Sequence, residues 1–427
     1  MLRLPLKNGT VENYKLVGTP LKPQTPSISF NRIAFAAAHV VASPLFEVNP
    51  WQLGGSLDWD ETLKYRRYLW DQGLNVAEAM DTAQRGMGLD WETAKELIER
   101  TVNEARHHPL KPRVVCGAGT DQFGIEDFKN EDQIINAYSE QMETIEKIGG
   151  QCVILASRAM MVVSRGPESF LRVYNRLIEQ AEKPVILHWL GAMFDPALRG
   201  YWGTESISEA ADIVLALIKA NSSKVDGIKI SLLDKKHEEK FRARLSDNIK
   251  LYTGDDFNYT DLIVGDGKKH SDALLGIFTA IAPAVSLALE ALARGKIEKY
   301  RNILEPTVPL SREIFKKPTQ YYKAGITFLA WLNGMQSHFS MLGGMQSSRE
   351  LNHYAEIFRL ADKSNLLARP DVAVSRMQSL LSFVMEMLPL ISSEITTVQE
   401  LSVLLMSHSM FSKPSRRVRA ESSTPPL

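Results

Sequence analysis

Cysteine is nearly absent from this chain: Cys116 and Cys152 are the two among 427 residues. So low a count excludes a disulfide-stapled secreted scaffold. Each cysteine sits beside an apolar run that reads as a buried strand, so both are expected to be packing thiols, neighbours if their strands pair. An excess of charge of either sign is also missing. Fifty Lys plus Arg balance fifty Asp plus Glu, so net charge points neither to nucleic acid nor to an anionic membrane or polyanionic substrate. Long hydrophobic runs are lacking as well, none approaching the roughly 20 residues that span a bilayer. The opening stretch MLRLPLKNGTVENYKLVGTP has no signal-peptide core between its charges. These absences set the expectation of a cytoplasmic protein that acts on a small molecule, without nucleic acid or membrane, and that assembles as a homo-oligomer.

Hydrophobic residues make up 44% of the chain and charged ones 23%, enough for a substantial core and too apolar for general disorder. Residues 1–30 are rich in Pro, Gly and isolated polar residues and read as an arm laid over a domain. Short β-branched or apolar runs then alternate with longer amphipathic stretches, the pattern of parallel βα units. Strands are predicted at Ile33 to Ala38, Asn75 to Asp81, Arg113 to Gly117, Cys152 to Ser157, Pro184 to Trp189, Asp226 to Ser231, Ile249 to Thr253 and Ala273 to Phe278. Crossover helices are predicted at Trp59 to Gln72, Asp90 to His107, Glu131 to Ile148, Pro167 to Glu182, Ile207 to Ala220 and Glu238 to Leu245. Such a count fits an α/β fold, a closed (β/α)8 TIM barrel over residues 31–283. A doubly wound open sheet is the competitor, disfavoured because no Gly-x-Gly-x-x-Gly turn follows the first strand. Helical patterns then run through residues 284–408 as a C-terminal extension, and residues 409–427 lack an apolar face and read as a disordered tail. Within the extension, Gly334-Met335-Gln336-Ser337 returns as Gly344-Met345-Gln346-Ser347, too few copies for a solenoid.

Reactive groups of such a barrel gather at the C-terminal ends of its strands. The candidates in order are His39, Glu78 and Asp81, Asp121, Arg158, His188, Lys229, and Asp255 with Asp256. Lys229 lies in Val225-Asp226-Gly227-Ile228-Lys229-Ile230-Ser231, a long cation inside an otherwise strand-like segment. Desolvation there lowers a lysine towards the range where its free amine attacks a carbonyl; the bland alternative is a lysine that reaches past the strand to a carboxylate. His188 ends an apolar run and is suited to moving protons near neutral pH, or else is a hydrogen-bonded core residue. Asp255 and Asp256 are adjacent, so strand geometry lets only one of them face the mouth. The turn Asp81-Thr82-Ala83-Gln84-Arg85-Gly86 offers polar groups and a cation for a hydroxylated or carboxylate ligand.

Read together, these segments resemble the dihydrodipicolinate synthase and N-acetylneuraminate lyase superfamily, in a divergent, uncharacterised branch, from about residue 33 to residue 300. The motifs that carry the resemblance are Gly227-Ile228-Lys229, Tyr252-Thr253-Gly254-Asp255-Asp256, and Gly276-Ile277 through Pro283. It implies that Lys229 condenses with a 2-oxo acid and that the iminium drives a retro-aldol, aldol or dehydration step. Two departures stand out. The family's Gly-Thr-Thr-Gly-Glu carboxylate loop is replaced by Met80-Asp81-Thr82-Ala83-Gln84-Arg85-Gly86, and the family's relay tyrosine on the fifth strand aligns with His188.

The leading expectation is therefore a cofactor-free, Schiff-base-forming lyase or aldolase acting on a small hydroxylated 2-oxo acid or keto-sugar derivative, such as an oxidised sugar. Lys229 and His188 are the catalytic candidates, and Asp81, Thr82, Arg85, Asp255 and Asp256 the substrate-binding ones. The alternatives are a divalent-metal sugar isomerase, epimerase or lyase liganded by Glu78, His188 and Asp255, and a barrel that has lost catalysis and serves as a sensor or assembly subunit. Tyr321-Tyr322-Lys323 through Gly334 reads as a surface that docks on the barrel or on a partner, and His338 and His353 as surface or interface residues.

Overall fold

In the computed structural model, residues 2–22, 24–45 and 55–385 are described. Met1–Val374 form one compact unit and Ser375–Leu427 a second. The tail expected at residues 409–427, and the extension beyond residue 385, lie outside the described residues.

A hairpin opens the chain, β1 (Leu2–Pro5) paired antiparallel with β2 (Val11–Tyr14). Eight parallel strands then close into a barrel: β3 (Ala34–Ala37), β4 (Asn75–Glu78), β5 (Val114–Ala118), β6 (Gln151–Ile154), β7 (Val185–Leu190), β8 (Val225–Ser231), β9 (Lys250–Thr253) and β10 (Asp272–Leu275). Consecutive strands are neighbours all the way round and β10 returns to β3, the closure a TIM barrel requires. The open-sheet competitor falls with that closure. The cysteines are register partners on β5 and β6, both buried free thiols.

The outer helices are cut at residues with a physical reason to stop or start a helix. Asp58, Asp90, Asn130, Ser206 and Asp234 each accept a backbone N–H at a helix N-terminus, ahead of Trp59–Asp71, Trp91–His107, Glu131–Ile148, Ile207–Ala220 and Lys235–Arg244. Gly149 ends the helix Glu131–Ile148 in the left-handed conformation at φ 92°. Val185, Leu187 and Trp189 of β7 turn outwards into the helix layer, whereas Ile186 joins Phe35, Ala37, Ala77, Met80, Val115, Val153, Tyr252 and Leu274 inside the barrel. That inner layer plugs the barrel and leaves the chemistry at its upper mouth.

Three strands stop three residues short of their predicted ends. β4 ends at Glu78 because Ala79 adopts φ 52°, and Asp81–Ala83 then form a 3-10 turn. β6 ends at Ile154, and Ser157 caps the helix Arg158–Val163. β10 gives way after Leu275 to the helix Ile277–Ala280, whose first amide is bonded by Asp256 Oδ1 at 2.9 Å.

The helix Ala282–Ala293 follows the eighth strand, and Ile297–Leu304, Val308–Ile314, Tyr322–Leu332, Leu351–Lys363 and Pro370–Met385 come after it. The N-terminal arm is more structured than its composition suggests. Its hairpin docks on the helix Leu351–Lys363: Arg359 reaches Glu12 and the Pro5 carbonyl, and Asp362 accepts from the Tyr14 hydroxyl and from the amides of Val17 and Gly18.

Candidate active site

Lys229 on β8 is the register partner of His188 on β7 and of Tyr252 on β9. Strand alternation sends Lys229 inwards while Ile228 and Ile230 join the outer core. It is 5% exposed, and among the described residues its Nζ makes no hydrogen bond and no ion pair. Burial lowers its pKa, opposed by the negative charges of Asp81 and Asp256. Gly254 is required beside it: a Cβ there would lie 2.9 Å from Lys229 Cε, 2.8 Å from the Ile230 carbonyl oxygen and 2.1 Å from Ser231 Oγ.

His188 is buried, with Nε2 3.2 Å from Ser231 Oγ and Nδ1 without a partner among the described residues. Burial first, then the nearby lysine charge, pushes it well below the ordinary imidazole range, so the ring is neutral at neutral pH. Asp256 is pushed up to about 8 by burial, against the pull of the Ile277 amide and Lys229. Burial thus pushes the lysine down and the carboxyl up, each towards its neutral form, a free amine and an acid that feel one another's charge without a hydrogen bond between them.

The remaining members come from the loop after β4 and, unforeseen, from the C-terminal extension. Tyr322 donates to Asp81 Oδ2 at 2.9 Å and lies 2.6 Å from Thr82 Oγ1. Lys323 Nζ is 3.6 Å from Asp81 Oδ2. The Tyr322 ring stacks on Phe315 at 4.3 Å and meets the edge of Phe194 at 6.2 Å. Gly276 allows this approach, since a Cβ there would sit 3.1 Å from both Phe315 Cζ and Tyr322 Cε2. Nearby, Gln336 bonds His39 Nε2 at 2.9 Å, and the Leu342 carbonyl accepts from Gln84 Nε2 at 2.9 Å. The stretch beginning at Tyr321-Tyr322-Lys323 thus docks on this barrel. The signal for Tyr322 and Lys323 was a phenol and an ammonium opening an otherwise apolar run.

Several expected roles are corrected. Arg85 holds Asp121 through two bonds of 2.6 and 2.7 Å, together with the Gly117 carbonyl at 2.9 Å and Gln141 at 2.6 Å, so it braces loops and has no donor aimed at the mouth. Asp255 accepts from the amides of Phe257 and Asn258 and from Asn258 Nδ2, a local turn that draws it away from Lys229. Of the adjacent pair, Asp256 is the one whose charge reaches the lysine. Glu78 points outwards into a bidentate pair with Arg66 at 2.9 Å and accepts from Thr101 at 2.8 Å. Glu78, His188 and Asp255 therefore do not converge, and among the described residues no three His, Cys, Asp or Glu side chains form a metal-holding group. Arg158 pairs with Asp195 at 2.6 Å. His353 is buried inside the extension against Glu313 at 2.8 Å rather than on a surface, and His338 Nδ1 accepts from the Ser340 amide.

The model of a family described as "Protein of unknown function (DUF993)" matches residues 2–384. A 4-hydroxy-tetrahydrodipicolinate synthase of Pseudomonas aeruginosa is 24% identical over 280 residues, spanning 65% of this chain and 83% of that protein. Among solved structures, dihydrodipicolinate synthase from Aquifex aeolicus superposes with a TM-score of 0.58 at 12% identity, over 79% of this chain and 99% of its own. Dihydrodipicolinate synthase from Thermotoga maritima does so at 0.57 and 15%, over 79% and 100%. The fold is that of the dihydrodipicolinate synthases, and the sequence is distantly similar to one of them, in line with the resemblance of its motifs. Among the described residues no helix is long and apolar enough to cross a membrane.

Proposed function

The chain belongs to the DUF993 family, and on that premise we propose that it is a Schiff-base-forming lyase or aldolase acting on a small hydroxylated carbonyl compound, with Lys229 as the nucleophile. The observation that carries this reading is the state of Lys229: a buried amine at the end of the sixth barrel strand, unpartnered at Nζ and flanked by two carboxyls. A lysine kept only for structure would be paired.

In this reading the free amine adds to the substrate carbonyl and the carbinolamine loses water to give an iminium. Asp256, beside the lysine, supplies the proton that lets hydroxide leave as water. The iminium then accepts the electron pair released when the neighbouring carbon–carbon bond breaks or a proton is removed. His188, neutral and with Nδ1 free, takes or returns a proton at the substrate, and Asp81 with Thr82 orients substrate hydroxyls.

Borohydride reduces an imine to a stable secondary amine, so intact-mass spectrometry after reduction with a panel of 2-oxo acids and keto-sugars tests the reading directly. A substrate-sized adduct is expected on the wild type and not on Lys229→Ala. An adduct that persists in the variant moves the chemistry to another lysine, and no adduct across the panel on folded protein leaves a barrel without imine chemistry.

A further inference from the structure

We propose that Lys323, supplied by the C-terminal extension, is the specificity-determining cation of this site and selects a carbonyl compound carrying a single acidic group. The inference deepens the imine reading and rests on it for the charge count, while the calorimetric arm of its test does not.

Lys323 is 1% exposed. Its ammonium has three protons, and the acceptor within hydrogen-bond distance is the Gln320 carbonyl at 3.0 Å. Asp81 Oδ2 stands off at 3.6 Å, and the Tyr322 ring centroid lies at 4.5 Å. A buried ammonium with unfilled donors is costly to retain. Nor does the position help the helix: Lys323 lies in the first turn of Tyr322–Leu332, a turn with no acidic residue, where a cation opposes the macrodipole. The ion pair with Asp81 and the face of Tyr322 hold the ammonium in place, but at 3.6 Å Asp81 is beyond hydrogen-bond distance, so a ligand oxygen at the mouth adds the bond that Asp81 does not make.

The other cations near the mouth are engaged. Arg85 is held by Asp121 and Gln141, and Arg158 by Asp195, the acid that also acts on Lys323. Once Lys229 is an iminium, the charges at the mouth are that cation, the buried Lys323 ammonium and the half-buried carboxylate of Asp81, with Asp256 having given its proton to departing water and regaining it from the substrate or solvent. The sum over the first three is one positive charge. A ligand with one acidic group brings the site to neutrality, and a neutral ketose leaves an uncompensated charge in a desolvated mouth. The replaced loop after β4 holds no cation free to do this, so the extension provides it.

The test compares matched probes on the full-length protein: pyruvate against methyl pyruvate, and 5-ketogluconate against fructose. Half-saturation of the borohydride-trapped adduct is expected to be about 10- to 100-fold lower for the acidic member of whichever pair reacts, the worth of one charge-assisted hydrogen bond. Lys323→Met should erase that ratio and Lys323→Arg restore part of it. Equal trapping of the acidic and neutral members by the wild type, or a ratio unchanged in Lys323→Met, overturns the inference while leaving the imine reading standing. Binding of the acidic probes to Lys229→Ala, measured by calorimetry, separates the two in the other direction. Binding weakened by adding Lys323→Met upholds the role of Lys323 even where no adduct ever forms, and binding indifferent to Lys323 refutes it. Should Lys323→Met fail to fold, the wild-type acid-to-ester ratio alone decides.

Discussion

Adding one methyl group at Gly254 should disable the site without touching a reactive atom. The new Cβ of Gly254→Ala would lie 2.1 Å from Ser231 Oγ, 2.8 Å from the Ile230 carbonyl oxygen and 2.9 Å from Lys229 Cε. Ile230 O cannot retreat, because it accepts the Gly254 amide at 2.8 Å within the β8–β9 ladder. Ser231 must rotate by more than an ångström, losing its 3.2 Å contact with His188 Nε2, and the lysine stem must swing aside. Overpacking of this kind costs about 1–3 kcal/mol of stability. A misplacement of about 1 Å in a reacting group costs on the order of 100-fold in rate. Adduct formation in Gly254→Ala should therefore slow by roughly two orders of magnitude, with a modest fall in the urea midpoint. The assay is time-resolved borohydride quenching with mass detection, alongside urea unfolding. A folded variant that traps adduct at the wild-type rate refutes the claim that Lys229 lies over Gly254.

Arg85→Met should lower stability by about 1.5–3 kcal/mol in urea unfolding, because Asp121 and Gln141 each lose a charge-assisted bond while keeping the bond between them, and should leave half-saturation of trapping near wild type in the folded fraction; a selective loss of binding would restore the substrate-contact role. Glu78→Gln should likewise weaken the fold through Arg66 and leave imine trapping intact, which calorimetric titration with divalent ions would contradict if Glu78 were a ligand. Glu238, buried against Ser271 and Thr253, is pushed up to about 8 mainly by burial. The folded state then holds a proton that the unfolded state has lost, so stability should fall as pH rises from about 4.5 to about 8, by up to roughly 1.4 kcal/mol per pH unit. Glu238→Gln should flatten that slope in urea midpoints taken at pH 5 and pH 8, where Asp256 contributes in the same direction. An unchanged slope would show that Glu238 is ionised in the fold. Cys116 and Cys152, whose thiols burial pushes up, should react with a maleimide in urea and stay unlabelled in the native protein.

Periodicity alone was enough for the barrel, since eight apolar runs spaced by amphipathic helices have few other ways to bury their faces. Lys229 was legible for a related reason: a lysine amid Ile228 and Ile230 has to be accounted for. Strand ends were less legible because they turn on single contacts, such as the left-handed Ala79 and the Asp256 cap on Ile277. The candidate acids and Arg85 divided by direction. Residue type marks a group as able to bind, but whether Glu78 faces Arg66 or the mouth depends on a one-residue phase of the strand.

Tyr322 and Lys323 lay beyond sequence reading for a different reason: they join Asp81 and Thr82 across some 240 positions of chain. No local pattern encodes that meeting. What the sequence did contain was a pair of linked anomalies, a loop after β4 that departs from the carboxylate loop of the superfamily its motifs resemble and two polar groups opening an apolar stretch in the extension. The loop present here spends its arginine on a brace and offers Asp81 and Thr82 to the extension, so the two anomalies are parts of one arrangement of the mouth. On this argument the loop after β4 and the segment from Phe315 to Lys323 form a unit. Placing Gly-Thr-Thr-Gly-Glu, the loop of the superfamily that the motifs resemble, after β4 while keeping the extension should destabilise the protein, because Tyr322 and Lys323 would then be buried without Asp81.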